Sequence, residues 1–101
     1  MTTATPNRTP GDILRRDYLD RYQITQRALA DHIGCDTKVI NSIVNGRSSV
    51  TADMALKLAA SLQTEPDLWL DAQKEIDLQK ATKLIGKLPK PIARSQMALP
   101  L

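Results

Sequence analysis

Aromatic side chains are scarce: the 101-residue chain has no Phe, one Trp and two Tyr. Its core must therefore be built from Leu, Ile, Val, Ala and Met, and the chain length supports one modest core rather than two. Cysteine and histidine occur once each, as Cys35 and His32. A lone cysteine forms no internal disulfide, and one Cys with one His cannot close a four-ligand zinc site within a chain. No apolar run approaches the ~20 residues that span a bilayer, and the opening MTTATPNRTPG lacks the hydrophobic segment of a signal peptide. The expectation is a cytoplasmic protein with no membrane contact. Strand patterns and internal repeats are also missing, so the fold class expected is all-α. No nucleophile, base and oxyanion donor can be assembled into a set, so neither enzyme activity nor a cofactor nor a metal is expected. Asp17 and Asp20 read as solvated helix charges, His32 and Cys35 as buried or half-buried turn residues, and Trp69 as core.

Charge is present but unevenly spread. The formal net charge is +3, with seven basic and five acidic groups in residues 1–50, two and six in 51–78, and five and none in 79–101. An acidic middle does not face phosphates. The basic tail could touch nucleic acid or an acidic partner.

The chain divides into an arm, a domain and a tail. Residues 1–8 have no periodicity and read as a disordered arm. Thr9-Pro10-Gly11-Asp12 is a helix start, with Thr9 as N-cap and Pro10 at the first helical position. The first helix is expected from about Pro10 to Arg21, with Ile13, Leu14, Tyr18 and Leu19 inward. Ile24 should staple a second helix that starts at Thr25, with Ala28, Leu29 and Ile33 inward. Gly34 can take the positive φ that closes it, and Asp36 caps a third helix on Ile40, Ile43 and Val44. Gly46 ends that helix. Thr51 caps a fourth, with Ala55, Leu58, Ala59 and Leu62 packed. A fifth begins near Thr64-Glu65-Pro66, with Thr64 or Glu65 as the cap, burying Leu68, Trp69, Ala72 and Ile76. Leu78, Ala81, Leu84 and Ile85 extend its apolar spacing towards residue 85, as more core or as a dimer face; the small core left to cover them favours the dimer face. Residues 9–78 thus form the domain, and Pro89, Pro91 and Pro100 leave residues 86–101 as a basic, extended tail.

The stretch from Thr25 to Gly46 carries the function. Two or three residues between two amphipathic helices force a steep crossing, as in a helix-turn-helix. Lys38, Asn41, Ser42 and Asn45 form a polar row on the second of these helices, and Thr37 stands in its first turn. Polarity alone would make this a solvated face. As a reader of DNA, Asn can satisfy adenine bidentately, Lys can reach guanine, and a Thr methyl can pack on thymine. Thr37, Lys38 and Asn41, near the helix N-terminus, are the candidates for base readout.

The segments PGDILR at 10–15, Ile24-Thr25-Gln26, Ala28-Leu29-Ala30, Ile43-Val44-Asn45-Gly46-Arg47, TADMAL at 51–56 and PDLWL at 66–70 run in unbroken order. On them the chain resembles the HigA-type, or VapI-type, antitoxins within the XRE family of phage-repressor-like helix-turn-helix proteins. The resemblance implies a five-helix fold and a homodimeric bacterial repressor, bound at the nucleoid to a palindromic operator in double-stranded DNA. It also implies a partner, a small RelE-like ribonuclease toxin. Gln26 matches the residue that touches the DNA backbone and buttresses the recognition helix; Asn45, Arg47 and Ser48 match a phosphate-contacting turn. Thr25 and Arg27 complete the candidate DNA-binding set. Asp36 departs from the Ser common at its position: it is equivalent as a cap, but its charge faces the DNA side. A free-standing repressor without a toxin, and an interaction module without DNA binding, remain the alternatives.

Overall fold

The computed structural model describes residues 8–92, which carry five helices and, among the described residues, no strand. The first helix, α1, opens as an α-turn at Pro10–Asp12 and continues π-wound over Ile13–Asp20. It is followed by α2 (Gln26–Ile33), α3 (Thr37–Val44), α4 (Ala52–Leu62) and α5 (Pro66–Ile85). The winding of α1 departs from the plain α-helix expected up to Arg21. Its inward residues stand five apart, Ile13 with Tyr18 and Leu14 with Leu19, and the i→i+5 pattern of a π-turn brings such pairs into line. The chain leaves the helix through Gln23 at φ 56°, with the Ile24 N–H bonded to the Leu19 carbonyl at 2.8 Å.

Capping follows the sequence. Thr9 Oγ1 accepts from the Asp12 N–H at 3.0 Å, Thr25 Oγ1 from Ala28 at 3.0 Å, Asp36 Oδ1 from Lys38 at 2.8 Å and Thr51 Oγ1 from Met54 at 3.2 Å. At α5 the cap position is Glu65, whose side chain makes no capping bond. Thr64 is engaged elsewhere: its hydroxyl accepts from Trp69 Nε1 at 2.8 Å and so satisfies the one polar atom of the largest core residue.

Trp69, Leu14, Ile40 and Leu58 are fully buried at the centre, joined by Ile13, Leu19, Leu29, Ala30, Ile43, Val50 and Ala55. Tyr18 stands tilted against Trp69 with ring centroids 5.7 Å apart. Three inward assignments are corrected. Ala28 is exposed and Ala30 takes its place, because Leu29, Ala30 and Ile33 are the residues of α2 that share the side towards the core. Leu68 is exposed, since the packed side of α5 centres on Trp69 and includes Leu70 and Ala72. His32 is exposed on the last turn of α2, whereas Cys35 is half-buried against the core. Arg8, placed in the arm by sequence, is held to Asp17 at 2.9 Å; residues 1–7 of that arm and 93–101 of the tail lie outside the described residues.

Gly11 sets the distance between α1 and α3. A methyl group on it would lie 2.6 Å from the Val44 carbonyl oxygen and closer still to that of Ile43. Only a residue without Cβ lets α1 reach the backbone at the end of α3. No described helix is long and apolar enough to cross a membrane.

Candidate nucleic-acid interface

α2 and α3 are joined through Gly34 at φ 92°, which closes α2 with the Cys35 N–H bonded back to the Ala30 carbonyl at 2.9 Å. Asp36 then starts α3 at once. Ile40 and Ile43 bury the inner side of α3, and this forces its other side outward: Lys38, Asn41 and Asn45 are exposed, with Thr37 and Ser42 half-buried at the edges. No described part of the chain covers this ridge.

The ridge is ordered by side-chain amides. Asn41 Nδ2 donates to Gln26 Oε1 at 3.1 Å, and Asn45 Nδ2 donates to Asn41 Oδ1 at 3.0 Å. Gln26, in the first turn of α2, thus holds one side chain of α3. The side-chain amide of Asn41 keeps one N–H and one lone pair for another partner, the pair of groups that a bidentate contact needs. Thr25 sits beside Gln26 with its hydroxyl oxygen already accepting from Ala28, which leaves the O–H to donate. Arg27 is exposed in the same turn.

α3 ends in a Schellman turn. The Gly46 N–H bonds to the Ile43 carbonyl at 3.1 Å and the Arg47 N–H to that of Ser42 at 2.8 Å, with Gly46 at φ 73°. Arg47 and Ser48 project from this turn, both exposed. The loop is clamped from a distance by Gln73 of α5: its Oε1 accepts from the Val50 N–H at 2.9 Å, and its Nε2 donates to Ser49 Oγ at 3.3 Å and Asp77 Oδ1 at 3.0 Å. Sequence reading missed Gln73, because nothing local ties a glutamine on a helix to a loop 23 residues earlier.

Lys38, Arg27 and Arg47 take part in none of the four ion pairs among the described residues, which join Arg8 to Asp17, Arg15 to Asp20, Lys57 to Asp53 and Lys74 to Asp71. Asp36 is the one carboxylate on the ridge itself, and its Oδ1 is turned into the start of α3. Among the described residues, no three His, Cys, Asp or Glu side chains are placed to hold a metal ion.

A family model described as helix-turn-helix matches residues 16–69, more than half of the chain. The chain belongs to the XRE-type helix-turn-helix family. Within that family it is similar to the antitoxin HigA-1 of Vibrio cholerae, 37% identical over 68 residues, a match that spans 67% of this chain and 64% of that relative, a little under two thirds of its length. Among solved structures it is similar to the Pseudomonas aeruginosa antitoxin HigA with the higBA promoter, at a TM-score of 0.75 and 31% identity over 79% of this chain and 87% of that one. The antitoxin GraA in complex with its operator matches at a TM-score of 0.73 and 33% identity, over 92% of this chain and 99% of that one. These relatives bear out the all-α helix-turn-helix fold and the likeness to HigA-type antitoxins. The family is one of DNA-binding antitoxins and transcription regulators, not of enzymes.

Proposed function

We propose that this helix-turn-helix protein is a HigA-type antitoxin: a sequence-specific DNA-binding repressor of its own operon that also neutralises a RelE-like ribonuclease toxin. The observation that carries the DNA reading is the uncovered polar ridge of α3, whose amides are held in line by Gln26. The relatives captured with promoter or operator DNA support the same reading. In this mechanism α3 enters the major groove, where Thr37, Lys38 and Asn41 meet base edges. Thr25, Gln26, Arg27, Asn45, Arg47 and Ser48 hold the phosphates on either side and fix the register without reading sequence.

A palindromic operator calls for a homodimer with recognition helices about 34 Å apart. Leu78, Ala81, Leu84 and Ile85 on the outer half of α5 are proposed as its interface. All four are exposed, Leu84 to 87%, although an apolar row at helical spacing is normally packed.

The test has two arms. Gel-shift titration against the chain's own promoter and a random duplex should show preference for the promoter and a loss of affinity with salt; equal binding to both would remove the repressor reading. Co-expression with the neighbouring short basic reading frame should relieve growth arrest. Promoter binding without such relief would leave a free-standing repressor. A flat titration against both duplexes would leave an interaction module.

A further inference from the structure

A groove of about 390 Å³ opens behind the Schellman turn, between Gly46–Ser49, the start of α1 and the outer half of α5. Arg47 and Ser48 form one wall of it; Lys80 and Lys83 of α5 form the other. The lining contains no Asp or Glu. On α5, Asp77 accepts from Gln73 Nε2, and Glu75 lines a separate hollow with Gln79 and Lys83. Neither Lys80 nor Lys83 is paired with a carboxylate among the described residues, in contrast to Lys57 and Lys74, which are held by Asp53 and Asp71. The charge of α5 is divided along its length: Asp67, Asp71, Glu75 and Asp77 come first, and beyond them the helix carries only lysines.

Helical phase separates this groove from the apolar row. Ile76, Gln79, Lys80 and Lys83 recur at steps of three and four residues on the side that lines it, whereas Leu78, Ala81 and Ile85 fall on the opposite side and Leu84 on the flank between the two. Lysines in the groove are therefore compatible with a subunit contact on the far side of the same helix.

We infer that Lys80 and Lys83 form, with Arg47 and Ser48, a second phosphate-binding wall that takes the DNA backbone beyond the segment contacted by α2 and α3. The inference rests on the DNA-binding reading and extends it: the footprint is longer than the helix-turn-helix alone would give, and the added part reads no sequence. Three cations with no carboxylate partner among the described residues, around one concave surface whose described lining is acid-free, suit a polyanion, and the continuity of that surface with the Arg47 turn makes the duplex backbone the occupant.

The test is a salt titration of the full chain on a random-sequence duplex, where phosphate contacts act without base readout. Replacing Lys80 and Lys83 together (K80Q/K83Q) should lower the slope of log affinity against log salt by about 2 per bound subunit, about 1 for each lysine. The same factor should be lost on the chain's own promoter. The control K57Q/K74Q removes equal charge from ion-paired lysines and should leave the slope nearly unchanged. An unchanged slope in K80Q/K83Q, or equal slope losses in both double variants, would overturn the second wall. Preference of the unaltered chain for its promoter is read separately and decides the repressor reading, so the two can fail independently. All four lysines are exposed, and thermal melting checks that each variant stays folded.

Discussion

Gln26 and Asn41 lie on different helices, fifteen residues apart, and their side-chain amides meet at 3.1 Å. A long polar side chain on a recognition helix is ordinarily free to rotate, and fixing it on binding costs entropy. Here Gln26 and Asn45 hold Asn41 from two sides within the chain itself. Asn41→Ala should cost about 1–3 kcal/mol on the cognate operator and relax preference at one base pair. Gln26→Ala should reproduce part of that loss through Asn41, with a coupling of about 0.5–3 kcal/mol in a double-mutant cycle on operator affinity. Additive losses would mean that Gln26 acts on the phosphates alone.

Asp36 combines a cap with a charge that faces the proposed duplex. Asn caps a helix about as well as Asp. Asp36→Asn should therefore keep thermal stability near that of the parent and tighten binding to any duplex, most visibly at low salt. Asp36→Ala should destabilise the fold by about 1 kcal/mol in chemical denaturation. Weaker binding by Asp36→Asn would instead indicate that the carboxylate accepts a hydrogen bond from a base.

Gly11→Ala places a methyl group against the carbonyl oxygens of Ile43 and Val44, which are backbone and cannot swing away. Overpacking of this kind should cost about 1–3 kcal/mol in urea denaturation. The displaced partner is the end of α3, so promoter affinity should fall as well. Unchanged stability would show that the α1–α3 contact is looser than the geometry indicates.

Gln63 leaves α4 at φ 58°, a left-handed conformation that side chains resist. Gln63→Gly removes the steric cost while adding chain entropy to the unfolded state, so the net gain should be modest, about 0.5–1 kcal/mol. A rise in the denaturation midpoint, with DNA affinity unaltered, is the expected result.

Gln73 accepts from the N–H of Val50, a residue of the core. Gln73→Leu strands that donor and should cost about 1–3 kcal/mol, while Gln73→Glu keeps an acceptor and should cost less. Both lose the N–H that Gln73 donates to Ser49 Oγ and Asp77 Oδ1. If the clamp positions Arg47 and Ser48, both should also weaken binding to random duplex.

What could be read locally was read from the sequence alone. Caps at Thr9, Thr25, Asp36 and Thr51, stops at Gly34 and Gly46, and the apolar spacing between them define five helices, because these signals act within one or two turns of the chain. The exposure of Lys38, Asn41 and Asn45 follows from the same periodicity once Ile40 and Ile43 are placed inward. Tertiary structure alone decided the rest: the close seat of Gly11 on α3, the Gln73 clamp, and the groove that Lys80 and Lys83 share with Arg47. Each of these depends on residues far apart in the chain arriving at one place, and that is set by how the helices pack rather than by any short-range preference of the backbone.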